Sequence, residues 1–77
     1  MNMNVIELDN MEKYYHVDSL VYNENRYALL SNVNDINDIT IRKMVVYPDG
    51  DSLEYLLEEE FDIVYPLFVE KNKALFD

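Results

Sequence analysis

Tyr47-Pro48-Asp49-Gly50 holds the only glycine in a chain of 77 residues. Pro48 presets φ for the first central position of a type I turn and Asp49 suits the second, while glycine alone reaches positive φ without a steric penalty from Cβ. The tetrapeptide therefore predicts a β-hairpin whose loop closes with a G1 bulge at Gly50. On its N-terminal side Ile39, Ile41, Val45 and Tyr47 recur with the two-residue period of a strand. Lys43 interrupts that run and predicts an edge position or a bulge. On its C-terminal side a short strand around Leu53 and Tyr55 is expected, and then the period changes. Leu57, Phe61, Val64, Tyr65, Phe68, Val69, Leu75 and Phe76 fall at spacings of three and four, with Glu58, Glu59, Asp62, Pro66, Glu70 and Lys73 opposite. That is the stripe of an amphipathic helix. Glu58 to Glu60 complement the positive end of its dipole, and Lys71 and Lys73 the negative end. Pro66 removes one backbone hydrogen bond and predicts a kink or a break.

Upstream, residues 3 to 8 suit a short strand and residues 9 to 12 a turn, since Asp and Asn bond their own backbone. Residues 13 to 22 are rich in β-branched and aromatic side chains and read as a strand. Simple alternation puts Tyr15, Val17 and Val21 on one face and Tyr14, His16, Asp18, Leu20 and Tyr22 on the other. Residues 23 to 26 turn the chain, and 27 to 33 return as the second arm of a hairpin, with Tyr27 and Leu29 sharing a face. The Asn- and Asp-rich segment 32 to 39 reads as a loop. The expected fold is a single α+β domain over 1–77. Its antiparallel sheet of four or five strands, with two hairpins, carries one C-terminal helix on one face, through Phe61, Val64, Tyr65, Phe68 and Val69.

A domain this short buries little more than half of its unfolded surface, so the core is small. The hydrophobic fraction of 49%, with seven Tyr and three Phe, argues against a disordered acidic tail. Four or so of those tyrosines are expected inside. The absence of cysteine removes disulfides, thiolate nucleophiles and thiolate metal sites and favours the cytoplasm. No export signal or membrane-spanning apolar run is evident. A net charge of −10 argues against direct binding of nucleic acid or an anionic membrane and points to a basic protein partner.

The order of segments, ELDNMEKYYHVDSLVYNENRYALL, then IRKMVVYPDGDSLEYL, then LEEEFDIVYPLFVE, resembles the YrzB-like family of small acidic bacterial proteins, a domain of unknown function. The resemblance spans roughly residues 7 to 70 and rests on Tyr27 followed by Ala28, Leu29 and Leu30, and on Glu59, Glu60 and Phe61 before a terminal helix. It implies a cytosolic bacterial or phage setting and no particular activity. Family members often carry glycine where this chain has Asn10 and Asn25, and Pro66 departs from the pattern.

Catalytic chemistry finds little to work with. His16 is the only histidine, and as a base paired with Asp18 it lacks a nucleophile. The segment NDINDIT lacks the glycine and terminal glutamate of a calcium loop, so no metal or other cofactor is expected. Seven carboxylates crowd residues 45 to 62: Asp49, Asp51, Glu54, Glu58, Glu59, Glu60 and Asp62. Members of one solvated run lack the separated environments that give a general acid and a general base, so an enzyme is not expected. The run reads either as an ordinary solvated face or, as expected here, as a partner-binding acidic surface. From Met44 to Glu70 there is no Lys or Arg, whereas ordinary solvated surfaces mix both signs. One sharper form is an inhibitor that mimics DNA to block a host nuclease or DNA-binding protein. A third possibility is an architectural homodimer; monomer and homodimer are both open.

Overall fold

A computed structural model describes residues 4–76, with the side chains of Leu75 and Phe76 outside the described set. Five strands form one antiparallel sheet in the order β1-β2-β3-β4-β5, each pairing with its neighbour in sequence. They are β1 Val5–Glu7, β2 Lys13–Tyr22, β3 Asn25–Asn32, β4 Ile39–Tyr47 and β5 Gly50–Glu54. The helix α1 follows as Glu58–Lys71, and after Asn72 a single turn, α2, spans Lys73–Phe76. The architecture is the expected small α+β fold. The start of the predicted first strand, Met3, and the packing expected of Leu75 and Phe76 lie outside the described residues.

The central strand shows why the sheet needs cover on both faces. From Tyr27 to Asn32 every residue of β3 is buried. Tyr27 and Leu29 join Ile41, Val64 and Phe68 in a cluster beneath α1, against which Val17, Leu20, Ile39 and Leu56 pack. Ala28 and Leu30 point the other way, into a cluster with Leu8 and Tyr14 that Ile6, Met44 and Leu53 flank. Among the described residues no helix side chain joins that second face; the sheet covers it by curling. In a flat sheet, β1 and β5 would lie roughly 19 Å apart, four strand spacings. Yet the hydroxyl of Tyr55, just past β5, comes within 3.4 Å of the carboxylate of Asp9, just past β1.

Turn chemistry sets the register. Tyr47 pairs with Gly50, so Pro48 and Asp49 form the tip of the β4–β5 hairpin. Gly50 has φ +140°, and a Cβ there would meet no atom within 4 Å, so the need for glycine is conformational. The β2–β3 hairpin also has a two-residue tip, with Tyr22 paired to Asn25. Its Asn23 and Glu24 both have positive φ, 51° and 68°. That is the signature of a type I′ turn, made here without glycine. In the β1–β2 turn Met11 takes φ 65°, while the Asn10 carboxamide oxygen accepts the backbone N–H of Glu12 at 3.0 Å.

Several expectations are corrected. The pairing His16 to Leu30 is followed by Asp18 to Leu29, which leaves Val17 as an extra residue in β2. This bulge flips the alternation. Tyr14 and Leu20, expected on one face, therefore join opposite clusters. Lys43 occupies neither an edge nor a bulge: β4 pairs continuously with β3 and β5. Tyr55 lies beyond β5. Only Tyr14 and Tyr27 of the seven tyrosines are buried, with Tyr22, Tyr47, Tyr55 and Tyr65 exposed.

The helix also differs from expectation in how it packs. Val64 and Phe68 are fully buried and Val69 half-buried, but Phe61 and Tyr65 remain 41% and 38% exposed. Those two rings stack on each other, with centroids 5.2 Å apart. The reason is geometric: only about a third of a helix's circumference can touch a sheet, and the apolar stripe here is wider than that. Pro66 lies inside α1 without breaking it. The helix ends instead at Asn72, whose backbone N–H donates to the Phe68 carbonyl at 2.9 Å. Burial of Val64 and Phe68 stabilises the helix–sheet contact by about 3–6 kcal/mol.

Candidate functional site

The seven carboxylates predicted to form one surface are divided by the fold into a structural member and a set facing water. Glu60 is the structural member. Its Oε2 accepts the Tyr27 hydroxyl at 2.8 Å and the Lys43 ammonium at 2.9 Å. Its Oε1 accepts the backbone N–H of Leu57 at 3.0 Å. Leu57 is the N-cap of α1 and has no side-chain acceptor of its own, so Glu60 supplies the half of a capping box that is made. One carboxylate thus ties the helix start to β3 and β4, whose Tyr27 and Lys43 are directly paired.

The electrostatics follow from those contacts. The Lys43 hydrogen bond, with those from Leu57 and Tyr27, holds the Glu60 carboxyl down to about 2. Burial, then the Glu60 hydrogen bond, pushes the Tyr27 phenol up to about 12. Proton sharing is thereby fixed at neutral pH: Glu60 is the anion and Tyr27 the neutral donor.

The remaining predicted members occupy two regions. Glu58, Glu59 and Asp62 are exposed on α1. Asp49 is exposed at the tip of the β4–β5 hairpin and Asp51 beside it. Asp51 pairs with Val46 and lines an open depression of about 500 Å³ with Glu24, Arg26, Met44 and Val46. Glu54 lies three residues on, and the two-residue period of a strand turns it to the opposite face. There it accepts the Tyr47 hydroxyl, which raises the Tyr47 phenol above its ordinary value. The run is therefore not one face.

Most of the cations find partners within the chain. Lys43 pairs with Glu60, Lys71 with Asp18 and Lys73 with Glu70. Arg42 is buried, with its guanidinium carbon 4.1 Å from the centroid of the Tyr55 ring and a hydrogen bond to the Thr40 hydroxyl at 2.8 Å. Of the six basic residues only Lys13 and Arg26 are neither ion-paired nor buried among the described residues. Asp49, Asp51, Glu58, Glu59 and Asp62 have no ion-pair partner among them either. Most cations are therefore matched within the chain, with Lys71 and Lys73 paired at the surface, where their side chains are 51% and 66% exposed.

The histidine and the Asx-rich loop resolve into structural roles. The Val17 bulge places Asp18 on the helix-covered face, where it accepts Asn72 Nδ2 and Lys71 Nζ, each at 3.1 Å, and the backbone N–H of Ser19 at 2.8 Å. Burial raises the Asp18 carboxyl, but the Asn72, Ser19 and Lys71 hydrogen bonds outweigh it and the net shift is downward. A His16–Asp18 pair is thus not formed. Nε2 of His16 is buried and has no hydrogen-bond partner among the described residues. In residues 32–38 the Asn32 and Asp35 side chains accept the N–H groups of Asn34 and Asn37, at 2.8 and 3.1 Å. Asn32 Nδ2 also donates to Asp38 at 3.2 Å. These side chains serve the loop itself, as Asx turns do.

Position in the helix could have singled out Glu60. It lies four residues before Val64 and eight before Phe68, on the line that faces the sheet. Glu59 and Asp62 are off that line. Against known protein families, characterised proteins and solved structures, the chain matches none. Among the described residues no helix is long and apolar enough to cross a membrane.

Proposed function

We propose that this chain is a non-enzymatic interaction protein of a bacterial or phage-infected cytoplasm, whose acidic surface binds a basic protein. The observation that carries this reading is the one-sided use of charge. Four of the six cations are ion-paired or buried, while Asp49, Asp51, Glu58, Glu59 and Asp62 stand exposed without an ion-pair partner among the described residues. A surface of one sign steers an oppositely charged partner and repels copies of itself. Membership of the YrzB-like family belongs to the same proposal.

A sharper reading, mimicry of DNA toward a nuclease or DNA-binding protein, is favoured by the stretch from Met44 to Glu70, which places no positive charge among its carboxylates. Both readings are tested by capturing candidate nucleases and other basic proteins on the immobilised chain across a salt series. Affinity that falls steeply with ionic strength is expected. A variant carrying Asp49→Asn, Asp51→Asn, Glu58→Gln, Glu59→Gln and Asp62→Asn should stay folded and lose that binding. Unchanged binding by this variant would remove the proposal. Release of the partner by duplex DNA would support mimicry, and simultaneous binding of DNA and this chain would exclude it.

A further inference from the structure

Between the β2–β3 turn and the first two turns of α1 lies an open groove of about 250 Å³. Tyr22, Asn25, Tyr27, Glu59, Ile63 and Val64 line it. Its floor is apolar and closed, since Tyr27 and Val64 are almost fully buried. Its walls are open and mixed: Tyr22 and Ile63 keep 40% and 45% of their surface exposed, beside the amides of Asn23 and Asn25. At its rim Glu59 is exposed and has no ion-pair partner among the described residues, while Glu60 beside it already accepts from Lys43 and Tyr27. An aromatic ring, an aliphatic wall and one free carboxylate match a side chain that is apolar along its stem, flat and cationic at its tip.

Resting on the basic-partner reading, we propose that this groove seats an arginine side chain of the partner, its stem against Ile63, its guanidinium over Tyr22 and paired with Glu59. The guanidinium is planar and weakly hydrated, so it stacks on a ring and forks to a carboxylate where a lysine ammonium can do neither as well. The fold uses the same chemistry internally, with Arg42 lying on the ring of Tyr55. A second copy of the chain is a poor occupant. Two molecules of charge −10 repel, and among the described residues only Lys13 and Arg26 are cations that are neither ion-paired nor buried.

The test uses hexa-arginine and hexalysine peptides of equal charge, with affinity read by calorimetry and location by amide chemical shifts of the whole protein. Expected are shifts concentrated at Tyr22, Asn25, Glu59 and Ile63, and tighter binding of the arginine peptide. Glu59→Gln and Ile63→Ser, both at exposed positions, should each weaken that peptide by about five-fold, against less than about two-fold for Asp49→Asn. Shifts spread over all exposed carboxylates, with Asp49→Asn as harmful as Glu59→Gln, would overturn the groove and leave the basic-partner reading standing. Equal affinity for the two peptides would likewise overturn the arginine assignment alone. Failure of both peptides to bind at low salt would overturn both.

Discussion

Glu59 and Glu60 stand side by side on the first turn of α1, and the fold uses them in opposite ways. Glu60 gathers three donors, from β3, from β4 and from the helix N-cap. Glu59 is exposed at the rim of a groove with no ion-pair partner among the described residues. A rotation of about 100° around the helix axis makes the difference. Charge density along a sequence therefore does not report on a surface until the helical angle of each carboxylate relative to the sheet is known.

The contrast between the covered and open sides of α1 can be broken most forcefully at its aromatic residues. Phe68→Ala leaves a cavity in the core beneath the helix and should cost about 3–5 kcal/mol, much of the stability of a domain this size. Phe61→Ala removes a half-exposed ring and should cost less than about 1.5 kcal/mol, chiefly its stacking on Tyr65. Urea unfolding of both variants checks the pair. Similar losses would mean that the two rings are not divided between core and surface.

The next largest difference should appear at the two glutamates. Glu60→Ala strands the Tyr27 hydroxyl and frees Lys43 and the helix N-cap, at about 1–3 kcal/mol. Glu59→Ala should stay within about 0.5 kcal/mol of the parent. Acid sharpens the same comparison. The Glu60 carboxyl lies at about 2 in the fold against an ordinary 4.5. Its contribution is therefore fully present above pH 4.5 and is lost progressively as pH falls from 4.5 toward 2. Stability measured along that range should fall less steeply in Glu60→Gln than in the parent. Tyr27 acts at the other end: its phenol lies at about 12 in the fold against 10, so its contribution is present below pH 10 and lost as pH rises from 10 to 12.

The smallest predicted effect separates the two hairpin tips. Gly50 supplies positive φ at no steric cost, whereas Glu24 holds φ 68° with a full side chain. Glu24→Gly should raise stability by about 0.5–1 kcal/mol through relief of that strain. Thermal unfolding of this variant should show a higher midpoint; a lower one would mean that the Glu24 side chain makes a compensating contact.

The hairpin at Pro48-Asp49, the Asx loop and the change of period at Leu57 were legible because each has its own chemistry. The Val17 bulge was not. In Tyr14-Tyr15-His16-Val17-Asp18 both alternating sets contain large apolar groups, so either face could be buried and nothing local betrays the extra residue. The positive φ values of Met11 and Glu24 were equally hidden, because neither residue advertises the left-handed region. The acidic run reads in the sequence as one surface, although period two could have told Asp51 from Glu54 and the spacing to Val64 and Phe68 could have told Glu60 from its neighbours. What the run lacked was any mark of which carboxylates would meet internal cations, since Lys43 comes from a strand 17 residues away.

Glu60 is the ionised tie between helix and sheet. Titration of its side-chain carboxyl followed by ¹³C chemical shift should give a midpoint at about 2. A midpoint at the ordinary glutamate value of 4.5 would show that Tyr27, Lys43 and the Leu57 amide do not hold it, and would return Glu60 to the free acidic surface.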